Sequence, residues 1–151
     1  MIAGNPRERR LDRLRAFWER ITDRKVWWHT PEGDVFRQAR NAQSSLYTMM
    51  LGQPGFFEPR RISPWFALAG ATDATSFYDT APLRDTLTEL VDFDLINSKA
   101  VHFSVGAVNA LSGNFVYFDN MQETIAPEHV MASGALPPSF PTVQIGTDHY
   151  W

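Results

Sequence analysis

Apolar positions recur at helical spacing near the start of the chain. They predict a helix that begins at Asn5-Pro6, with Asn5 as the cap and the proline in the first helical position. The inward face of this helix is predicted to consist of Leu11, Leu14, Phe17, Trp18 and Ile21. Packing in the core is therefore the expected role of Trp18.

Two further helices are predicted before residue 100. One follows Asp34 and ends at Gly52, a residue type that commonly terminates helices. Its inward positions are predicted to be Phe36, Ala39, Ala42, Leu46, Met49 and Met50. The other begins near Thr80 to Pro82 and has the clearest apolar face of the three. That face consists of Leu83, Leu87, Leu90 and Val91.

Between these two helices, residues 52–80 are rich in proline, glycine and aromatic residues. Such a composition predicts a long irregular segment, with a short strand at Trp65–Leu68 as the one regular element.

The pattern changes to strands after residue 99. Residues 100–107 alternate apolar and polar side chains, and 115–118 return as a second strand across a turn at Ser112-Gly113-Asn114. A short helix is predicted from Pro127 to about Ala132, followed by a second hairpin over residues 143–151. The expected fold class is therefore α/β, with helices in the first half and β-hairpins in the second.

Composition fits one folded domain. The chain has 151 residues, of which 44% are hydrophobic and 21% charged. No apolar run approaches the roughly 20 residues of a membrane-spanning helix, and Met1–Pro6 lacks the features of a secretion signal. The absence of cysteine excludes disulfides, thiolate metal sites and a cysteine nucleophile. A cytoplasmic protein is the expectation.

Charge is distributed unevenly. Residues 1–40 contain 10 of the 14 basic residues and 6 of the 17 acidic ones. Because Glu8, Asp12 and Glu19 are interleaved with the arginines at helix-neighbour spacing, this stretch predicts a solvated, salt-bridged face. No nucleic-acid partner is expected.

Metal and phosphate motifs are missing from the sequence. The histidines at 29, 102, 129 and 149 have no ligand spacing, so surface or packed histidines are expected. No glycine-rich phosphate loop is present either. We therefore predict neither a metal nor a cofactor.

Two serines are conceivable nucleophiles. Ser104 lies in half of a G-x-S-x-G pattern, but strand-like alternation continues past it, so a strand serine is favoured. Ser133 lies at a predicted helix end and has an equally good structural interpretation. Trp27-Trp28, flanked by Lys25 and His29, leaves contact with a membrane interface open.

A motif in the second half resembles a known family. Residues 132–141, Ala-Ser-Gly-Ala-Leu-Pro-Pro-Ser-Phe-Pro, resemble the A-S-x-A-x-P-x-x-F-P stretch of patatin-like phospholipases. The hairpin from Ser104–Asn109 to Asn114–Asn120 is similar to a bacterial subgroup of that family. Residues 2–11 resemble the stretch that follows the nucleophile elbow of this subgroup.

The resemblance implies a serine–aspartate acyl hydrolase of lipid or other carboxylic esters, with a three-layer α/β/α fold. In such enzymes the serine attacks the ester carbonyl and the aspartate is its base. The serine elbow and the oxyanion loop are expected before Met1, and the aspartate motif after Trp151. Residues 1–151 are then an incomplete patatin-like domain with no catalytic residue and no activity alone.

The same resemblance assigns a substrate-pocket role to one turn. Its residues are Ser133, Gly134, Pro137, Pro138 and Phe140, and the 52–80 segment is expected to help cover the acyl pocket. The abrupt start and the short last hairpin also favour a segment of a larger domain. Lipid or acyl-ester substrate is the expected partner, peripheral membrane contact stays open, and the oligomeric state is not predicted.

Two alternatives remain. The first is a non-enzymatic module that binds an acyl chain or a protein, derived from a degenerate hydrolase. The second is a self-contained esterase that uses Ser104 or Ser133.

Overall fold

The computed structural model describes residues 1–22, 34–61 and 76–151. After a 3-10 turn at Arg7–Arg9, the helices are α1 Arg10–Thr22, α2 Asp34–Leu51, α3 Ala81–Leu90, α4 Phe93–Asn97 and α5 Pro127–Gly134. The strands are β1 Glu58–Pro59, β2 Tyr78–Asp79, β3 Ser104–Val108, β4 Phe115–Asp119, β5 Val143–Ile145 and β6 Asp148–Tyr150. The chain is a mixed α/β protein in which helices predominate before residue 100 and hairpins follow.

The three strand pairs in the described residues are all antiparallel. In the central hairpin Val105 lies opposite Phe118 and Ala107 opposite Val116, so these four side chains share the inner face. The predicted hairpin is confirmed, although β3 begins at Ser104 rather than near residue 100.

The end of β3 also contacts the last hairpin. The Val108 and Trp151 backbones exchange two hydrogen bonds, and the Ala110 N–H donates to the His149 carbonyl over 2.8 Å. These bonds join the two hairpins edge to edge.

One face of α3 forms the centre of the core. Leu83, Leu87 and Leu90 are buried, and Val91 continues the face beyond the helix, as the periodicity predicts. The core cluster also contains Ile96, Ala107, Phe118, Ile125, Ala132 and Tyr150. Helix α3 packs against α5 and α1, and α5 in turn packs against β3 and β5 of the hairpins.

The start of the chain packs closely on the residues after α3. The Gly4 carbonyl accepts from the Asp92 N–H over 2.9 Å, and a β-carbon on Gly4 would lie 2.4 Å from Val91 Cγ1. Glycine is therefore required at position 4, because the backbone lies too close to Val91 for a side chain.

Two predictions about α1 are wrong. Asn5 does not cap the helix; its amide donates to the carbonyls of Met1 (3.0 Å) and Leu90 (2.9 Å). Leu11 and Trp18 are exposed, whereas Phe17 is partly buried against the core. The reason is that α1 lies at the edge of the core and contacts it along a narrow strip.

The acidic residues Glu8, Asp12 and Glu19 of this stretch are exposed, and one ion pair of α1 extends to another helix. Arg20 Nη2 lies 2.7 Å from Glu89 Oε1 of α3, so the pair joins two helices. The guanidinium lowers the pKa of Glu89 by hydrogen bonding.

Helix α2 is confirmed, and Gly52 ends it with φ +75°. Its predicted inward face is wrong: Phe36, Ala39, Ala42, Leu46, Met49 and Met50 are all exposed. The helix is attached near its C-terminal end, where the Tyr78 hydroxyl donates to the Met49 carbonyl over 2.8 Å.

Two predicted features, the strand at Trp65–Leu68 and the loop at Trp27-Trp28, lie outside the described residues.

Candidate functional site

The turn singled out by the family resemblance connects α5 to β5. Ser133 and Gly134 are the last two residues of α5, and both are exposed. Pro137 and Pro138 are also exposed, and the peptide bond between them is cis. Only Phe140 among the five predicted pocket residues is partly buried.

Backbone hydrogen bonds dock this turn against β2. The Phe77 N–H donates to the Pro138 carbonyl over 3.3 Å, and the Tyr78 N–H donates to the Ser139 carbonyl over 3.1 Å. A further bond from the Phe140 N–H to the Leu136 carbonyl, 2.9 Å, closes the turn itself. The turn is thereby held in place by residues that are some 60 positions earlier in the chain.

An aromatic cluster surrounds Phe140. Its ring centroid lies 5.2 Å from that of Phe57, 5.9 Å from that of Phe56 and 6.2 Å from that of Tyr78. Phe57 also meets Tyr78 edge to face at 4.8 Å. Rings at these distances attract one another beyond the burial of their area. The structure therefore brings the predicted turn together with both described ends of the 52–80 segment.

The side chains of this cluster are predominantly apolar rings that pack on one another. Aromatic rings present large apolar surfaces that suit an acyl chain or another apolar group. Ser133 is exposed, and a β-carbon added at Gly134 would have no heavy atom within 4 Å. Of the five predicted pocket residues, only Phe140 therefore belongs to the aromatic cluster. The other four are exposed.

A second group of polar residues lies on the outer face of the central hairpin. His102 Nε2 is 2.7 Å from Asp119 Oδ2, and Ser104 lies directly opposite Asp119 in the strand register. Tyr117 and Phe115, further along the same face, are exposed and meet edge to face at 4.9 Å.

This arrangement does not match a serine nucleophile with its base. In a serine–histidine–aspartate triad, Nε2 faces the serine and Nδ1 faces the carboxylate. Here Nε2 is the atom that contacts Asp119. Ser104 is also the first residue of a regular strand rather than the tip of a strand-to-helix turn. The interpretation of Ser104 as a strand serine is confirmed.

The His102–Asp119 pair perturbs the carboxyl group. The hydrogen bond from His102, followed by that from the Met121 N–H, lowers the pKa of Asp119 below its ordinary 3.8. A lowered carboxyl pKa means that the pair stabilises the fold above the unfolded pKa, and that this contribution is lost as pH falls through the folded pKa.

We expect His102→Ala to raise the pKa of Asp119 toward its ordinary value, because the largest cause of the lowering is removed. The measurement is a carbon-13 NMR titration of the Asp119 carboxyl. His149→Ala, at another exposed histidine, is the matched control and should leave that pKa unchanged. An Asp119 titration that is the same in His102→Ala and in the unmodified chain would contradict the assignment.

His129 is a packed histidine, as the sequence analysis expects. It is buried, its Nδ1 accepts from the Ala126 N–H over 2.9 Å, and its ring meets Phe118 edge to face. It therefore caps the start of α5. Across residues 1–22, 34–61 and 76–151, the histidine and acidic side chains form no group of three or more that could hold a metal ion.

None of the helices in the described part of the chain combines the length and apolar character needed to cross a bilayer.

Comparison with known proteins adds no family to these observations. No family model, no curated protein and no solved structure matches the chain.

Sequence reasoning missed two features of this region. Phe56, Phe57 and Tyr78 were not assigned as the partners of Phe140, although the density of aromatics in 52–80 was a usable signal. The His102–Asp119 pair was also missed. The predicted hairpin could have indicated this pair, because its register places His102 two residues from Ser104, the partner of Asp119.

Proposed function

We propose that this chain forms part of a patatin-like serine–aspartate acyl-hydrolase domain with a three-layer α/β/α fold, and that it contributes binding surface rather than catalytic residues. The proposal rests first on the Ala-Ser-Gly-Ala-Leu-Pro-Pro-Ser-Phe-Pro stretch at 132–141, which resembles the family. In the complete domain, the serine elbow would stand before Met1 and the aspartate motif after Trp151.

The geometric observation that carries the proposal concerns the positions of residues near the two chain ends. Ala3 and Tyr150 both belong to the single core cluster built around α3. A serine and its aspartate base must lie within hydrogen-bond reach of one another. Both residues therefore belong to the same packed core, which supports a complete domain in which the two motifs meet.

The aromatic cluster supports a substrate role for the turn. Phe140 lies against Phe56, Phe57 and Tyr78, so the turn and the 52–80 segment share one apolar surface. In the proposed domain this surface would bind the acyl part of the ester, while Ser133 and Gly134 would form its exposed rim.

The 151-residue chain by itself is expected to give no covalent labelling with a fluorophosphonate probe and no turnover of a short p-nitrophenyl ester. The physical reason is that neither Ser104, in a regular strand, nor Ser133, at the end of α5, lies at a strand-to-helix elbow. Removing dyad members reduces rates by several orders of magnitude. Intact-mass spectrometry after labelling is the measurement, with a known serine esterase as the positive control.

Stoichiometric labelling of Ser104 or Ser133 would contradict the proposal and support the self-contained esterase. The complementary experiment reads the coding DNA on both sides of the chain. In-frame G-x-S-x-G before it and D-G-G/A after it are expected, and the joined polypeptide should hydrolyse the ester unless the elbow serine is changed to alanine. Stop codons and unrelated flanking sequence would overturn the proposal.

A non-enzymatic acyl-binding module is the second candidate, and the aromatic cluster is the observation that favours it. Saturable binding of a fluorescent fatty acid, together with flanking DNA that encodes neither motif, would select this function. Phe140→Ala should then weaken the binding, because Phe140 meets three other rings of the cluster.

A further inference from the structure

Helix α2 has an apolar surface that the described residues do not cover. Phe36, Leu46, Met49, Met50 and Leu51 are between 51% and 64% exposed. Most of the polar residues whose burial is described, such as Arg37, Asn41 and Ser45, are exposed as well, and Thr48 in the last turn is partly buried. The helix is thus attached at its C-terminal end and exposed along most of its length. Contiguous apolar surface of this kind marks an interaction site.

The apolar residues of α2 lie on one side. At about 100° per residue, Phe36, Ala39, Ala42, Leu46, Met49 and Met50 fall within an arc of about 140°, which also contains Gln43. Arg37, Asn41 and Ser45 fall on the other side. A one-sided apolar face of this width lets a helix lie along a boundary between an apolar phase and water.

The charges of α1 and α2 indicate whether such a boundary would be anionic or neutral. Asp34 begins the helix and pairs with Arg37, and the charged residues from 35 to 51 are arginines only. The Gln53 amide donates to the Ile21 carbonyl, which ties the end of α1 to the turn after α2. Residues 7–22 carry six arginines against three acidic residues. The first two helices are therefore cationic although the whole chain is −3.

A third observation concerns Trp18 of α1, whose side chain is 55% exposed. Tryptophan is enriched at the interface between membrane and water because its ring is apolar and its N–H is polar. A one-sided apolar face and an excess of arginine are features of a helix that lies in the surface of an anionic bilayer, and the exposed indole of α1 suits the same kind of boundary.

We propose that α2 binds the surface of an anionic lipid bilayer, with Phe36, Leu46 and Met50 entering the boundary between headgroups and acyl chains. Arg37 and the polar side of the helix would remain among the headgroups and water. The helix lies in the membrane plane and does not cross it. Binding of this kind requires no catalysis, so it stands apart from the acyl-hydrolase proposal.

The test is co-sedimentation of the full chain with vesicles of phosphatidylcholine that contain about one-third phosphatidylglycerol, against vesicles of phosphatidylcholine alone. The chain is expected to bind the anionic vesicles more strongly and to lose that preference at high salt. The double variant Leu46→Gln/Met50→Gln should bind at least about tenfold more weakly, because two apolar side chains no longer leave water.

The matched control is Asn41→Gln/Ser45→Gln, which changes two exposed residues on the polar side of the same helix. Its vesicle binding should stay within about twofold of the unmodified chain. Absence of binding to anionic vesicles overturns the proposal, and so does binding that survives Leu46→Gln/Met50→Gln. A dimer that this double variant dissociates, without vesicle binding, would assign the face to a second copy of the chain.

Discussion

Replacing Asn120 with alanine is expected to lower the free energy of unfolding by about 3–4 kcal/mol. The side chain is completely buried at the end of β4. Its amide donates to the carbonyls of Ile96 (2.7 Å) and Val101 (2.9 Å), and its oxygen accepts from the Phe103 N–H (3.0 Å). Alanine would leave one buried and two partly buried backbone groups without these partners, which costs more than the loss of the bonds alone.

Urea denaturation followed by circular dichroism measures this change. Asn114→Ala is the matched control, because Asn114 is exposed in the loop between β3 and β4. It should shift the free energy of unfolding by less than about 0.5 kcal/mol. Equal stability of the two variants would mean that Asn120 does not join α4 to the central hairpin.

Leu87→Ala is the second substitution with a large expected effect, a loss of about 2–5 kcal/mol. Leu87 lies in the middle of the buried face of α3 and is 6% exposed. Truncation removes apolar surface from the core and leaves a cavity that the helix, held between α1 and α5, can only partly close.

Asp85→Ala, on the exposed side of the same helix, separates this packing effect from helix propensity. Alanine is the better helix former, so the control should be neutral or slightly stabilising. Thermal denaturation of both variants provides the comparison. A Leu87→Ala midpoint at or above that of Asp85→Ala would show that this face of α3 is not the core.

The apolar face of α3 could be predicted because local and global demands agree there. Leu83, Leu87 and Leu90 recur at helical spacing, and the rest of the fold surrounds that face. The same spacing in α2 predicted a helix correctly and its burial wrongly, since Leu46 and Met50 are exposed. Periodicity reports which residues share a side, but whether anything covers that side depends on distant parts of the chain.

The candidate site could be predicted in part. The turn at 133–140 was located from its motif, yet only Phe140 of the five named residues enters the aromatic cluster. Its partners Phe56, Phe57 and Tyr78 are far away in sequence, and ring contacts between such residues leave no periodic signal.

For this protein the sequence alone predicted the order of α1, α2, α3, α5 and the two hairpins after residue 100, because spacing and turn residues such as Gly52 and Gly113 act within a few neighbours. The short helix α4 and the β1–β2 pair were not predicted. The tertiary structure decided the rest. It directs the Asn5 amide to Leu90 rather than to a helix start, and it places Phe140 against Phe57. These outcomes require chain segments to meet across long separations. A polar or aromatic side chain binds whichever compatible partner the packed fold brings within reach.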